Sequence, residues 1–455
     1  MNTPETEYGK LLIIGAGPGG YETALLAARK GIEVTLIEKG PVGGTCLNEG
    51  CIPTKAFCRH AQMLDELEEA ETLGIKNLNY TFDFQTAVDR KEQIVGQLRQ
   101  GVEGLLRHKL IHCIEGTARF VDAHTVQVNE QTYAADHIII ATGSVPQILP
   151  IPGNNLPGVI TSREILNLKQ IPKRLCVIGA GVIGLEFASI FNSFGSQVTV
   201  LEYCKEILPR FDTDLAKRLK QSLGKRGIEI QTQAQVQKIE KAEDGSLKVS
   251  FMKKEKEEQT EADYVLMAVG RRANTESLNL DDIGIAYNKR GIEVDENMQT
   301  SLPHIYAIGD INGRQMLAHA ATFQGVRALN HILGENDSLD LNIIPAAVFT
   351  QPEAATVGLT EEDCKAQNIP YRCHKSFFRA NGKAVCLNET DGFCKLLSHK
   401  ENGKILGGHL FGPHAADLIQ EITVLIQRQA TIGELSNIVH AHPTLGEVIL
   451  EASKD

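Results

Sequence analysis

Two cysteines, Cys46 and Cys51, are the residues of this chain best placed to do chemistry. They lie in Gly43-Gly44-Thr45-Cys46-Leu47-Asn48-Glu49-Gly50-Cys51-Ile52-Pro53-Thr54-Lys55, a C-x4-C pair closely flanked by glycines and followed by the pattern of a helix. A thiol attacks only as thiolate, and a helix N-terminus favours that anion. The pair reads as a dithiol that opens and closes, with the rest of the chain feeding electrons in or taking them out. A structural disulfide or a zinc site would also use two cysteines. Against these, no Cys/His set completes a zinc site, and ten cysteines in 455 residues are too sparse for a disulfide scaffold. The other eight, Cys58, Cys113, Cys176, Cys204, Cys364, Cys373, Cys386 and Cys394, read as small buried apolar residues.

A second reactive stretch is His440-Ala441-His442-Pro443-Thr444-Leu445-Gly446-Glu447. A histidine moves protons near neutral pH, and a glutamate can orient it and stabilise its charged form. Thr444 and Glu447 also have the spacing of a capping box, in which Glu447 would only cap a helix. The residues alone do not choose between His440 and His442, nor between a proton-transfer role and a structural one.

The elements upstream supply the frame. Leu11-Leu12-Ile13-Ile14 is a short apolar strand that runs into Gly15-Ala16-Gly17-Pro18-Gly19-Gly20, a helix to Lys30, and a strand ending at Glu38. This is a βαβ dinucleotide fingerprint. Gly15 permits the tight turn, Gly17 lets the backbone approach a pyrophosphate, Gly20 allows close helix–strand packing, and Glu38 is placed to bond a ribose. The pattern returns as Leu175 to Ile178, then Gly179-Ala180-Gly181-Val182-Ile183-Gly184, a helix, and Gln197 to Glu202. The interval from Gly15 to Glu38 equals that from Gly179 to Glu202, so the chain carries two nucleotide sites for two cofactors. Glu202 would accept from a free 2′-hydroxyl and repel a 2′-phosphate, which favours NAD over NADP.

Between the fingerprints, residues 61–110 read as largely helical, and Thr125–Val128 with Thr132-Tyr133 as a small antiparallel element. His137–Ile140 reads as a buried strand ending in a Gly143 turn, matched later by Tyr264–Met267 and Gly270. Pro146, Pro150, Pro152 and Pro157 mark a linker. Ile305-Tyr306-Ala307-Ile308-Gly309-Asp310 is a further strand tipped by an acid, suited either to polyol hydroxyls or to capping the next helix. From Pro345 a new domain begins, with no glycine fingerprint. A net charge of −11 argues against nucleic-acid binding. No apolar run approaches the roughly 18 residues of a membrane span. The polar start, Met1 to Lys10, lacks the features of a secretory signal, so a reduced, cytoplasmic protein is expected.

These stretches together resemble the flavin-dependent pyridine nucleotide–disulfide oxidoreductases with a C-x4-C redox pair. The resemblance covers nearly the whole chain and is most specific at Gly43–Lys55 and His440–Glu447. It implies an α/β fold with two Rossmann-like dinucleotide-binding domains and a C-terminal α+β dimerisation domain. Residues 1–150 and 271–344 would bind FAD and carry the dithiol, 151–270 would bind NAD, and 345–455 would form a homodimer. FAD would lie on Gly15, Gly17 and Gly20, with Glu38 at its ribose, Asp310 further along, and backbone contacts from Ala318 and Ala118. Lys55 would sit beside the flavin, paired with Glu186, and Cys51 would face it. NAD would lie on Gly179, Gly181 and Gly184 with Glu202, Val236 and Gly270. His442, oriented by Glu447, would be the catalytic base and would reach the dithiol of the other subunit; no metal is implied.

The pattern is nearest to the family members that oxidise dihydrolipoamide. Partners would then be lipoyl-bearing proteins of a 2-oxo acid dehydrogenase or glycine cleavage complex, although no lipoyl domain is expected before Leu11. Thr54, where serine is commoner, and Ala318-His319-Ala320-Ala321 depart slightly from the family pattern. The alternatives are an NADH-dependent reductase of another disulfide and a redox-active binding component with little turnover.

Overall fold

The computed structural model describes residues 10–454; the chain start read above lies outside the described residues. Two compact units emerge. One comprises residues up to Ala56, Val88–Gln147 and Arg271–Leu341; the other comprises Phe57–Ala87, Ile148–Gly270 and the chain from Asn342 onward.

In the first unit, five parallel strands stand in the order Ile305–Ala307, His137–Ile140, Leu11–Ile14, Val34–Glu38, Ile111–Glu115. The central strand Leu11–Ile14 is buried at every position, as a parallel strand covered on both faces requires. The helix Pro18–Arg29 covers one face with Ala24, Leu25, Ala27 and Ala28, which cluster with Leu11, Ile13, Val34 and Leu36. The opposite face packs on Phe120, Val126 and Val128 of a three-stranded antiparallel sheet, Ala118–Asp122, Thr125–Val128 and Gln131–Ala134.

The second unit repeats this design. Its parallel sheet runs Glu229–Thr232, Gln197–Glu202, Arg174–Ile178, Tyr264–Met267, Val159–Ile160, again beside a three-stranded antiparallel sheet, Gln235–Lys241, Leu247–Lys253 and Lys256–Ala262. The correspondence reaches single bonds. Gly116 N–H donates to the Glu38 carbonyl and Ala234 N–H to the Glu202 carbonyl, so Ala118 and Val236, each two residues further on, occupy equivalent positions. The duplicated α/β architecture expected from the sequence is the observed one.

The same unit holds the C-terminal α+β layer, a five-stranded antiparallel sheet in the order Ala346–Val348, Glu353–Gly358, Ile405–Gly412, Phe393–His399, Tyr371–Phe377. The helix Ala415–Gln427 lies on it through Ile419 and Ile422. A methyl group at Gly408 would come within 2.5 Å of Ile422, so glycine sets how closely helix and sheet approach.

Residues 61–110 are largely helical, as expected: helices cover Cys51–Glu68 and Phe84–Leu106, and the residues between them hold a 3₁₀ turn, Ala70–Leu73. Asn77, Asn79 and Gly74 there favour turns over helix. One expectation requires correction: the eight remaining cysteines are not uniformly buried. Cys176, Cys364 and Cys394 are, Cys58 and Cys204 are half-buried, and Cys113, Cys373 and Cys386 are exposed. Cys113 and Cys373 both lie on edge strands, and Cys373 points away from the face that buries His374.

A buried ion cluster ties the C-terminal sheet to the helix Thr213–Lys225. Lys395, 2% exposed, reaches Asp212 at 2.8 Å and Asp214 at 3.0 Å and also pairs with Glu361. Asp212 is itself fully buried and caps the helix through Asp214 and Leu215 N–H. Lys395→Met would strand that carboxylate, and losing one partner of a buried pair costs about 3–5 kcal/mol. The expected result is a melting temperature lowered by several degrees in calorimetry. The hydrogen bond from Lys375, then those from Lys395, hold Asp214 down at about 2. Its stabilising contribution is therefore complete above the ordinary carboxylate range and is lost as pH falls toward about 2.

Candidate active site

The redox stretch folds as two consecutive helices, Gly44–Glu49 carrying Cys46 and Cys51–Glu68 beginning at Cys51. Cys46 is half-buried and Cys51 exposed. Glycines make the turn possible. Gly43 and Gly44 have φ of +97° and +58°, and a methyl group on Gly44 would lie 2.7 Å from the Gly17 Cα. Gly43 N–H donates to the Ala16 carbonyl at 2.7 Å. The dithiol is thus held against the first dinucleotide turn, backbone to backbone. Asn48, which sequence reasoning passed over, stitches the loop by donating to the Val42 and Gly44 carbonyls at 3.0 Å each.

The two thiols are electrostatically unequal. The hydrogen bond with Cys51, then burial, then the negative charge of Cys51 hold the Cys46 thiol well above the usual thiol range, with Lys55 opposing. Cys51 is the first residue of an 18-residue helix, whose N-terminus favours an anion.

The fingerprint glycines divide by function. A methyl group at Gly15 would lie 2.4 Å from the Ala141 carbonyl oxygen, and at Gly179 2.4 Å from that of Ala268; both residues have φ +105°. At Gly20 and Gly184 it would lie 1.8 and 2.0 Å from the carbonyl oxygen of the first glycine. These four are demanded by the fold. Gly17 and Gly181 are not. Their φ values, −69° and −79°, suit any residue, and an added methyl would meet nothing within 4 Å at Gly181 and just the Gly44 Cα, at 4.0 Å, at Gly17. Neither adjoining helix has a side-chain cap. Uncapped N–H groups beside a glycine that packing does not need fit the close approach of a pyrophosphate.

Glu38 and Glu202 each do more than the sequence revealed. Glu38 accepts from Ala16 N–H at 2.7 Å and Gly40 N–H at 2.9 Å; Glu202 accepts from Ala180 N–H at 2.6 Å and Cys204 N–H at 2.7 Å. Each carboxylate pins its own glycine turn and retains further lone pairs for ribose hydroxyls.

Asp310 lies in the 3₁₀ turn Gly309–Asn312 and accepts from Ser144 Oγ, which in turn accepts from Arg271 Nε at 2.7 Å. Burial raises the Asp310 carboxyl, against the Ser144 hydrogen bond and the Arg271 charge. Gln324 Oε1 holds the turn through Gly309 N–H at 2.7 Å and Asn312 Nδ2 at 2.8 Å. Ser144, Arg271 and Gln324 were missed by sequence reasoning. Ser144 and Arg271 each follow the turn glycine of one half, Gly143 and Gly270, and that parallel was the available signal. Ala318 opens the helix Ala318–Ile332, which has no side-chain cap. Ala118 and Val236 are both buried strand residues. Glu186, also buried, accepts from Phe349 N–H at 2.9 Å.

In the second unit, His442 Nδ1 bonds Glu447 Oε1 at 2.9 Å while the ring stays 77% exposed. His440 is half-buried, its nitrogens engaged by the Ile438 carbonyl at 3.0 Å and Glu421 at 2.9 Å. Geometry therefore separates two histidines that the residues could not. The capping reading of Glu447 holds in half: Oε2 accepts from Thr444 N–H at 2.8 Å, but Thr444 Oγ1 donates to the Ala441 carbonyl instead of capping the helix. The hydrogen bond from Thr444, then that from His442, lower the Glu447 pKa.

Residues 9–325 match the pyridine nucleotide-disulphide oxidoreductase family and residues 344–453 match its dimerisation domain; the chain belongs to this family. It is an oxidoreductase with FAD and NAD as cofactors. Among its relatives, the dihydrolipoyl dehydrogenase of Geobacillus stearothermophilus is 43% identical over 449 residues, covering 97% of this chain and 95% of that one. That of Bacillus subtilis is 42% identical with the same coverage. Among solved structures, LpdA from Mycobacterium tuberculosis has a TM-score of 0.91 at 29% identity, covering 98% of this chain and 99% of that one. The HOCl-induced flavoprotein disulfide reductase RclA from Escherichia coli has a TM-score of 0.86 at 30% identity, covering 98% of each. Among the described residues, no helix is long and apolar enough to cross a membrane.

Proposed function

We propose that this protein oxidises the dihydrolipoyl group of a lipoyl-bearing protein and reduces NAD, as a homodimer in a reducing cytoplasm. The observation that carries the reading is the Cys46/Cys51 pair fastened to the first glycine turn through Gly43–Ala16 and Gly44–Gly17. Identity of 42–43% to dihydrolipoyl dehydrogenases supports the substrate class. Exposed free thiols at Cys113, Cys373 and Cys386 suit a reducing compartment.

In this reading the resting pair is the Cys46–Cys51 disulfide. His442, fixed through Nδ1 by Glu447 and contributed by the partner subunit, takes a proton from one dihydrolipoyl thiol. The resulting thiolate attacks Cys46 Sγ and displaces Cys51 as thiolate. The second dihydrolipoyl thiol then closes the lipoyl disulfide and releases Cys46, which holds the proton. Lys55 and the helix N-terminus stabilise the charge left on Cys51. When bound, FAD would supply the two-electron chemistry that links the dithiol to NAD. Gly15, Gly17, Gly20, Glu38, Asp310, Ala118 and Ala318 would hold FAD; Gly179, Gly181, Gly184, Glu202, Val236 and Gly270 would hold NAD, with Glu186 beside Lys55.

The test is anaerobic NADH formation from NAD and free dihydrolipoamide. Fast turnover is expected. A protein that holds FAD but reduces some other disulfide with NADH much faster than lipoamide would overturn the substrate. Glu202→Ala should raise the KM for NAD by about tenfold or more, since charge-assisted hydrogen bonds to the ribose are lost, while FAD content is unchanged. An unchanged KM would remove the ribose role.

A further inference from the structure

The carboxylate of Asp310 is held through one oxygen. Oδ2 accepts from Ser144 Oγ at 2.5 Å. Ser144 Oγ accepts in turn from Arg271 Nε at 2.7 Å, and Arg271 Nη2 donates to the Ser144 carbonyl at 2.8 Å, so the guanidinium grips side chain and backbone of one residue. The direction of these bonds is fixed. A guanidinium has no acceptor, so the Ser144 hydroxyl gives its hydrogen to Asp310 and Oδ2 must accept. The frame is fastened as well. Strands Ser144–Pro146 and Arg271–Ala273 pair, and just beyond them Asn274 donates to the Gly143 carbonyl at 2.9 Å and the Thr142 carbonyl at 3.2 Å. Oδ1 differs. Among the described residues it has no hydrogen-bond partner, and it is not one of the sealed unpaired polar atoms, which are His137 Nδ1 and Gln315 Oε1. Oδ1 is therefore open to solvent.

We propose that Ser144 and Arg271 are positioning residues for FAD, holding Asp310 so that its open oxygen accepts a hydrogen bond from a hydroxyl of the cofactor. The inference rests on the reading that Asp310 holds FAD. An ionised carboxylate is the stronger acceptor. Burial raises the Asp310 carboxyl, and the Ser144 hydrogen bond, then the Arg271 charge, oppose it. Other charged or titratable groups on or beside the packed elements are engaged elsewhere: Arg272 with Glu276, Arg327 with Asp337, His331 with the Tyr306 hydroxyl and Arg314 with the Val294 carbonyl. His319 stands in the first turn of the helix Ala318–Ile332, and the strands Ser144–Pro146 and Gly291–Ile292 carry none. Arg271 is the charge that bears on Asp310. FAD affinity is then complete above the Asp310 pKa and falls as pH drops through it. Removing the Ser144 hydroxyl or the Arg271 charge raises that pKa further, so the loss begins at higher pH.

The test uses holoenzyme. FAD release on serial dilution is followed by flavin fluorescence, from the ordinary carboxylate range up to neutral pH, for the wild type, Ser144→Ala, Arg271→Met, Arg271→Lys and Asp310→Asn. Wild-type affinity should fall toward the acid end. Ser144→Ala and Arg271→Met should move the midpoint of that fall upward by about one pH unit, the effect of one hydrogen bond to a charged group. Arg271→Lys, which keeps the charge, should lie nearer the wild type than Arg271→Met. Asp310→Asn should raise the Kd by about tenfold and flatten the pH dependence. Ser144→Ala leaves the carbonyl that anchors Arg271, so it decides the matter where Arg271→Met does not fold. A midpoint unmoved in Ser144→Ala and Arg271→Met overturns the inference, even where FAD is held more weakly at every pH, as a merely structural role would give. If Asp310→Asn keeps the wild-type affinity and pH profile, the cofactor reading of Asp310 fails instead.

Discussion

Cys46→Ser will suppress dihydrolipoamide-dependent NADH formation by at least about a thousandfold while leaving FAD bound. Serine keeps the size of the side chain but cannot form the disulfide that receives the electron pair. The elements that hold the redox helix do not involve the thiol: Gly44 still meets Gly17, Gly43 still bonds Ala16, and Asn48 still bonds Val42 and Gly44. NADH should therefore still reduce small artificial dyes, which take electrons without thiol exchange. Absorbance of NADH under nitrogen, with dihydrolipoamide as donor, checks the loss, and full activity in the variant would end the dithiol account.

His442→Gln should slow thiol exchange by about 10²–10⁴-fold, the usual range for a positioned acid–base group, and leave dye reduction nearly unchanged. The prediction follows from how differently the two histidines are held. His440 is half-buried with both nitrogens engaged, by the Ile438 carbonyl and Glu421, and its replacement should act through stability. His442 is tied at one nitrogen to Glu447, with the ring exposed. Glu447 is in turn fixed by Thr444 N–H, so capping and orienting are two uses of one carboxylate. Steady-state rates with dihydrolipoamide and with a dye, measured on one preparation, separate the roles. Equal losses in both assays would make His442 structural.

Much of this was legible in the sequence because it rests on local rules. Gly15 and Gly20 are glycine for reasons of backbone contact, and a strand, turn, helix and terminal glutamate at fixed spacing leave few other folds. The duplication was visible in the intervals Gly15–Glu38 and Gly179–Glu202. The rest depends on pairings distant in sequence. Ser144 and Arg271 come together around Asp310 because the strands Ser144–Pro146 and Arg271–Ala273 pair, across more than a hundred intervening residues. The equivalence of Ala118 and Val236 needs the Gly116 and Ala234 hydrogen bonds to be seen. Exposure of Cys113 and Cys373 depends on which strands lie at a sheet edge, information that residue type does not carry.

Differential alkylation of the oxidised holoenzyme, before and after one equivalent of dihydrolipoamide under nitrogen, tests the central claim most directly. Peptide mass spectrometry then reads the cysteines one by one. The account predicts that Cys46 and Cys51 are protected at first and both become reactive after reduction, while Cys113, Cys373 and Cys386 are labelled equally throughout. Labelling of Cys46 and Cys51 that does not change on adding dihydrolipoamide would contradict it.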